Sequence, residues 1–148
     1  SDLAKELGVG VLLITHDLGV VSDLADKAAV MYAGEIVESG RLVDVFHRPQ
    51  HPYTEGLISA IPRNEVREGE LPTIDGVVPP PWLWPEGCHF APRCPYATDA
   101  CRNGDVALRP SGASQARCVR ADELDLVGVA GDHDSISLPI IDTGANHG

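Results

Sequence analysis

Cys88, Cys94, Cys101 and Cys118 are the only cysteines of the chain, and they fall within 31 residues as C-x5-C-x6-C-x16-C. Thiolates grouped in this way are soft metal ligands. They could hold a [4Fe-4S] cluster, which takes four thiolates and tolerates irregular spacing. They could also hold a structural Zn2+ ion, although zinc sites usually show closer C-x2-4-C pairs. Two disulfides or free thiols are the other readings. From the residues alone, cluster and zinc stand level. His89, beside Cys88, could replace a cysteine as ligand only at strained geometry.

A second chemical feature is the triplet Thr15-His16-Asp17, which directly follows the apolar run Val9 to Ile14. A histidine beyond the carboxyl end of a buried strand can donate a hydrogen bond to a ligand. Taken alone, a strand-end histidine is more often structural. Asp17 reads as a helix cap and Thr15 as structural. Nothing in the chain resembles a Ser/His/Asp triad.

The elements that must position these residues follow from local signals. Gly8 suits a left-handed cap on a helix ending near Leu7. Val9 to Ile14 predicts a strand covered on both faces, as in a parallel sheet. Leu18, Val21, Ala25 and Ala28 recur at helical spacing. Ala29 to Ala33 and Glu35 to Glu38 predict a hairpin turning at Gly34. Short helices are expected before Pro49 and over Thr54 to Ile61. The fold class is therefore α/β. Four regions are expected: residues 1–61, a proline-rich connector over 62–87, a cysteine module over 88–121 and an acidic, disordered tail over 122–148.

The formal charge is -11. Residues 1–60 carry 4 basic and 9 acidic side chains, residues 61–121 carry 7 of each, and residues 122–148 carry 6 acids and neither Lys nor Arg. No basic stripe is present, which argues against nucleic-acid partners. No apolar stretch reaches the ~20 residues of a membrane span, so a membrane role would come through a partner. The chain opens at Ser1 directly into a helical pattern, which reads as a piece of something longer.

The order strand, Thr-His-Asp, amphipathic helix, hairpin resembles the last third of an ABC-transporter nucleotide-binding domain. The matching text is Val11-Leu-Leu-Ile-Thr-His16-Asp17-Leu18, Ala25-Asp26-Lys27 and Val30-Met-Tyr-Ala-Gly-Glu-Ile-Val37. The resemblance implies an ABC-type P-loop ATPase domain, present here as an incomplete sheet with flanking helices. It makes His16 the switch histidine that contacts the γ-phosphate and helps position the attacking water. Arg48-Pro49-Gln50-His51-Pro52-Tyr53-Thr54 and Gly87-Cys88-His89-Phe90-Ala91-Pro92-Arg93-Cys94-Pro95-Tyr96-Ala97 resemble the C-terminal extension of oligopeptide/dipeptide-type ABC importer ATP-binding subunits. In that family the four cysteines hold an iron–sulfur cluster, and all four carry over by position. The chain departs from the family around Cys118, where Arg117 and Val119 stand in place of a nearby histidine.

The resemblance also exposes gaps. A phosphate-cradling loop needs Gly-x-x-x-x-Gly-Lys-Ser/Thr, and the chain has no Gly-Lys pair and no Ser-Gly-Gly signature. ATP and Mg2+ would thus be bound by an intact subunit, and the chain alone is expected to be inactive. The implied partners are a second ATPase subunit, transmembrane permeases and, indirectly, an extracytoplasmic peptide-binding protein. The implied location is the cytoplasmic face of the membrane. A reading of another class is a stand-alone iron–sulfur or zinc module without ATPase activity. Arg93, Arg102 and Arg117 flank three cysteines; they can donate to sulfur or balance its charge, or are simply solvated. His51, Pro52 and Tyr53 are explained as helix-start and packing residues, and Trp82 and Trp84 as packing for the connector.

Overall fold

The computed structural model of the chain describes residues 6–61 and 73–129. Strand β1 (Lys27–Tyr32) turns back as β2 (Glu35–Arg41), and two short strands, β3 (Arg109–Ser111) and β4 (Ser114–Ala116), complete an antiparallel sheet ordered β1-β2-β4-β3. The first hairpin turns on Ala33 (φ 47°) and Gly34 (φ 81°). Two positive φ values in succession match the right-handed twist of the paired strands. The register shifts between Val30 and Met31. This leaves Val37 out of the pairing with β1, and its carbonyl accepts the Arg117 N–H at 2.8 Å. The hairpin is thereby tied to the cysteine segment.

Among the described residues, three α-helices follow one another around the sheet strands in chain order. In α1 (Leu18–Leu24) Asp17 is the cap, and its Oδ1 accepts from Gly19 N at 2.9 Å and Val20 N at 3.3 Å. Thr15 Oγ1 in turn accepts the Asp17 N–H. Leu18, Val21, Ala25 and Ala28 pack on Leu42, Val45 and Phe46 of α2 (Leu42–His47), the predicted apolar stripe. Helix α3 (Pro52–Ser59) begins two residues before the expected Thr54, because Pro52 at its first position has no N–H to leave unpaired.

The predicted strand over Val9 to Ile14 does not form: these residues have no regular structure and are exposed, Leu12 at 87% and Ile14 at 89%. A buried parallel strand needs hydrogen-bonding neighbours on both sides. Every strand among the described residues is antiparallel and pairs elsewhere.

The cysteine segment is not a separate body. Strand β4 pairs with β2 through Glu38–Ala116 and Ser39–Gln115, so residues from both halves share one sheet. Tyr32, Val37 and Phe90 form a buried cluster, with Tyr53, Cys88 and Cys94 packed against it. From the connector, residues 74–76 are pinned by Arg93, which donates to the carbonyls of Ile74, Asp75 and Gly76 at 2.7–2.9 Å. Trp84 donates to the Pro79 carbonyl and packs against the His89 ring, whereas Trp82 is exposed. The first part of the acidic segment docks on α2 and α3: Val129 N donates to Phe46 O and Val127 N to Glu55 Oε1, both at 2.8 Å. Residues 62–72 of the expected connector and 130–148 of the expected tail lie outside the described residues. Among the described residues no helix is long and apolar enough to cross a membrane.

Candidate metal centre

Three of the four cysteines open the same local structure. Cys88, Cys94 and Cys118 are each followed three residues later by alanine, and the N–H groups of Ala91, Ala97 and Ala121 donate to the carbonyl of their own cysteine at 2.9, 3.2 and 3.5 Å. Such a turn swings the intervening N–H groups toward the sulfur. The backbone N–H groups of Phe90 and Ala91 lower the pKa of the Cys88 thiol, as does that of Tyr96 for Cys94 and that of Arg120 for Cys118. Cys101 ends a 3-10 turn, where its sulfur is 3.5 Å from both Thr98 N and Thr98 Oγ1. Cys88 meets Cys101 through a backbone bond, Cys88 N to Cys101 O at 2.9 Å. Gly87 makes that approach possible, because a Cβ there would lie 2.8 Å from the backbone of Arg102.

These turns bring all four cysteines to the lining of one pocket. Its remaining walls are Pro52, Phe90, Ala91 and Val119, with His51 at one side. All four cysteines carry free thiols. Burial pushes the Cys94 thiol up to about 11, and it raises Cys88 and Cys118 as well; the neighbouring cysteines add to each shift. Thiolates crowded in an apolar pocket are costly without a compensating cation. Backbone N–H groups already aimed at the sulfurs offset part of that cost and are the usual outer support of a thiolate-held centre.

Among the described residues, no group of three or more His, Cys, Asp or Glu side chains is gathered tightly enough to hold one metal ion. A zinc ion would need all its sulfurs about 2.3 Å from a single point. A cluster takes each thiolate on a different iron. Four cysteine side chains lining one pocket are the donor type that either centre uses.

His51 is the residue that sequence reasoning missed. It caps α3, where its Nδ1 accepts the Tyr53 N–H at 3.1 Å, and its Nε2 lies 3.8 Å from Cys88 Sγ. The ring is 1% exposed, and burial lowers its pKa to about 3. Its backbone is fixed by Glu38, which is wholly buried in β2. Glu38 accepts from Gln50 N at 2.9 Å, His51 N at 3.0 Å and Ser114 Oγ at 3.2 Å. Burial raises the Glu38 carboxyl above its ordinary range, and these hydrogen bonds counter the rise.

His89 Nδ1 lies 3.1 Å from the Ala33 carbonyl and 3.2 Å from Glu35 Oε2. Arg93 and Arg117 serve as backbone clamps. Arg117 donates to the carbonyls of Ile36 and Val106 and pairs with Glu35. Positive charge at Cys118 comes from Arg109 and Arg120, because Arg109 holds the Cys118 carbonyl and Arg120 donates to the Tyr96 carbonyl. His16 is exposed just ahead of the Asp17 cap, at the opposite end of the chain's order from the cysteines.

Residues 37–101 match the family described as "Oligopeptide/dipeptide transporter, C-terminal region". This span includes His51 and three of the four cysteines. The chain is 48% identical over 117 residues to a peptide import ATP-binding protein of Brucella abortus, covering 79% of the chain and 35% of that protein. It is 46% identical over 124 residues to the oligopeptide transport ATP-binding protein AppD of Bacillus subtilis (83% and 38%). It is 41% identical over 117 residues to the dipeptide transport ATP-binding protein DppD of Haemophilus influenzae (79% and 36%). The chain therefore spans little more than a third of the length of these relatives. The matches run well beyond the cysteine segment, which disfavours a stand-alone module. By these matches the chain belongs with the ATP-binding subunits of oligopeptide/dipeptide-type ABC importers, as the counterpart of their C-terminal part.

Proposed function

We propose that the chain works within an ATP-hydrolysing subunit that drives import of di- or oligopeptides. The observation that carries this reading is the similarity to peptide, oligopeptide and dipeptide ATP-binding proteins over about four-fifths of the chain. The subunit pairs with a second ATPase subunit beneath two permeases on the cytoplasmic face of the membrane, and an extracytoplasmic binding protein delivers the peptide. ATP and Mg2+ are held by parts of the subunit that carry the phosphate loop, which is not within these 148 residues. His16 reaches the γ-phosphate there. Phosphoryl transfer depends on positioning and charge stabilisation, and an imidazole N–H donated to a phosphate oxygen supplies both. Cys88, Cys94, Cys101 and Cys118 hold a [4Fe-4S] cluster, which supplies a redox-active inorganic centre and a covalent tie among four separate turns.

His16→Ala in the intact subunit, assembled with its permeases, is expected to lower ATP hydrolysis about 10²-fold, the usual cost of removing one donor from a reacting oxyanion. Peptide uptake should fall in parallel while ATP still binds. Hydrolysis and uptake at the unaltered rate would contradict the assignment.

A further inference from the structure

The cysteine pocket has one side-chain hydrogen-bond donor whose direction is fixed by the fold. His51 Nδ1 faces the Tyr53 N–H at 3.1 Å. A backbone N–H can only donate, so Nδ1 must keep its lone pair. The ring proton then sits on Nε2, and Nε2 lies 3.8 Å from Cys88 Sγ. The ring cannot turn away. The backbone N–H of His51 is held by buried Glu38 at 3.0 Å, Pro52 fixes the next residue at the start of α3, and Phe90 packs beside the ring with centroids 5.9 Å apart.

We propose that His51 is a positioning residue of the cysteine centre, donating its Nε2–H to the Cys88 sulfur and thereby raising the reduction potential of the group those thiolates hold. This rests on the cluster reading above. Reduction adds negative charge that spreads onto the sulfurs, so a donor aimed at one of them stabilises the reduced form more than the oxidised form. Buried Glu38 and His51 and half-buried Cys88 thus form a chain in which the sheet orients a helix cap and the cap orients a donor. His51 accordingly has two separable jobs, one for each ring nitrogen.

Two substitutions separate them. His51→Asn keeps a side-chain acceptor for the Tyr53 N–H but cannot reach the sulfur. His51→Gln keeps an N–H at the distance of Nε2 but loses the cap. The full chain is reconstituted anaerobically with iron and sulfide, and each form is titrated with dithionite while the reduced cluster is followed by electron paramagnetic resonance. In the Asn variant, the oxidised-to-reduced ratio at the wild-type midpoint should rise about tenfold, which is about 59 mV to the negative for one electron. The Gln variant should stay near the wild-type midpoint despite lower thermal stability. An Asn variant that loads no cluster while Gln loads fully would also support the donor role. The inference is overturned if Asn titrates at the wild-type potential, or if both variants shift together as a packing defect would make them. Wild-type chain that takes up no iron and sulfide would overturn the cluster reading itself, a different result from a loaded chain indifferent to position 51.

Discussion

With the proposed cluster in place, replacing Cys94 by serine is expected to remove most of the bound iron and to leave residues 88–121 open to protease, with cleavage faster by on the order of tenfold or more. The segment has little regular structure to fall back on. Its order consists of two 3-10 turns, Ala91–Arg93 and Asp99–Cys101, two three-residue strands and a set of arginine-to-carbonyl bonds. Its cysteines come from four separate turns and meet only at the shared pocket. A centre bound there ties those turns together, and the free energy of binding becomes free energy of folding for the segment. The variant also leaves three thiols lining one apolar pocket, and burial opposes the ionisation of Cys88 and Cys118. Limited proteolysis followed by mass spectrometry reads the effect directly, with iron measured on the same samples. Wild-type cleavage rates together with wild-type iron would contradict it.

Glu38→Ala is expected to cost about 3–5 kcal/mol of folding stability, measured as a lower urea midpoint with an unchanged slope. The carboxylate serves two backbone N–H groups, Gln50 and His51, and the Ser114 hydroxyl. Each buried donor left without a partner costs about 1–3 kcal/mol. The sum is less than fully additive because the three share one site. Glu38→Gln should cost less, because its amide oxygen still accepts while its NH2 faces donors. The damage would also travel: Glu38 fixes the backbone of His51 at the edge of the cysteine pocket, and it joins β2 to β4 through Ser114. A change below about 1 kcal/mol would mean that water replaces the carboxylate, and the chain from Glu38 to Cys88 would lose its anchor.

What could be read from sequence and what could not divide along a physical line. The hairpin at Gly34, the Asp17 cap, the helix ending before Pro49 and the helix starting at Pro52 all depend on neighbours within a few residues, and each formed near its expected place. Val9 to Ile14 carried an equally strong local pattern and formed no strand, because a strand is completed by residues elsewhere. Glu38 lies in a strand, where a charged residue reads as solvent-facing. Its burial depends on donors 12, 13 and 76 residues away. His51 was fully accounted for by its helix start, and its second partner, Cys88, is 37 residues further on.

The cysteines were legible as a group, but their supporting turns were not, although a signal was present. Cys88, Cys94 and Cys118 each have alanine at the third following position. A small residue there lets the turn close and pack, and the turn delivers N–H groups to sulfur. The arginines illustrate the converse. Their placement beside cysteines suggested contact with sulfur, yet Arg93 and Arg117 direct their donors to backbone carbonyls, of which Ile74, Asp75, Gly76 and Val106 lie outside any strand or helix. In a segment this irregular, orphan carbonyls are the stronger demand.

The most direct test of the central claim is the inorganic content of the chain purified without oxygen. A [4Fe-4S] cluster on the four cysteines predicts about four iron and four sulfide per chain and a broad absorption near 400 nm that bleaches with dithionite. One equivalent of zinc without sulfide, or four thiols that pair as disulfides with no metal bound, would contradict it.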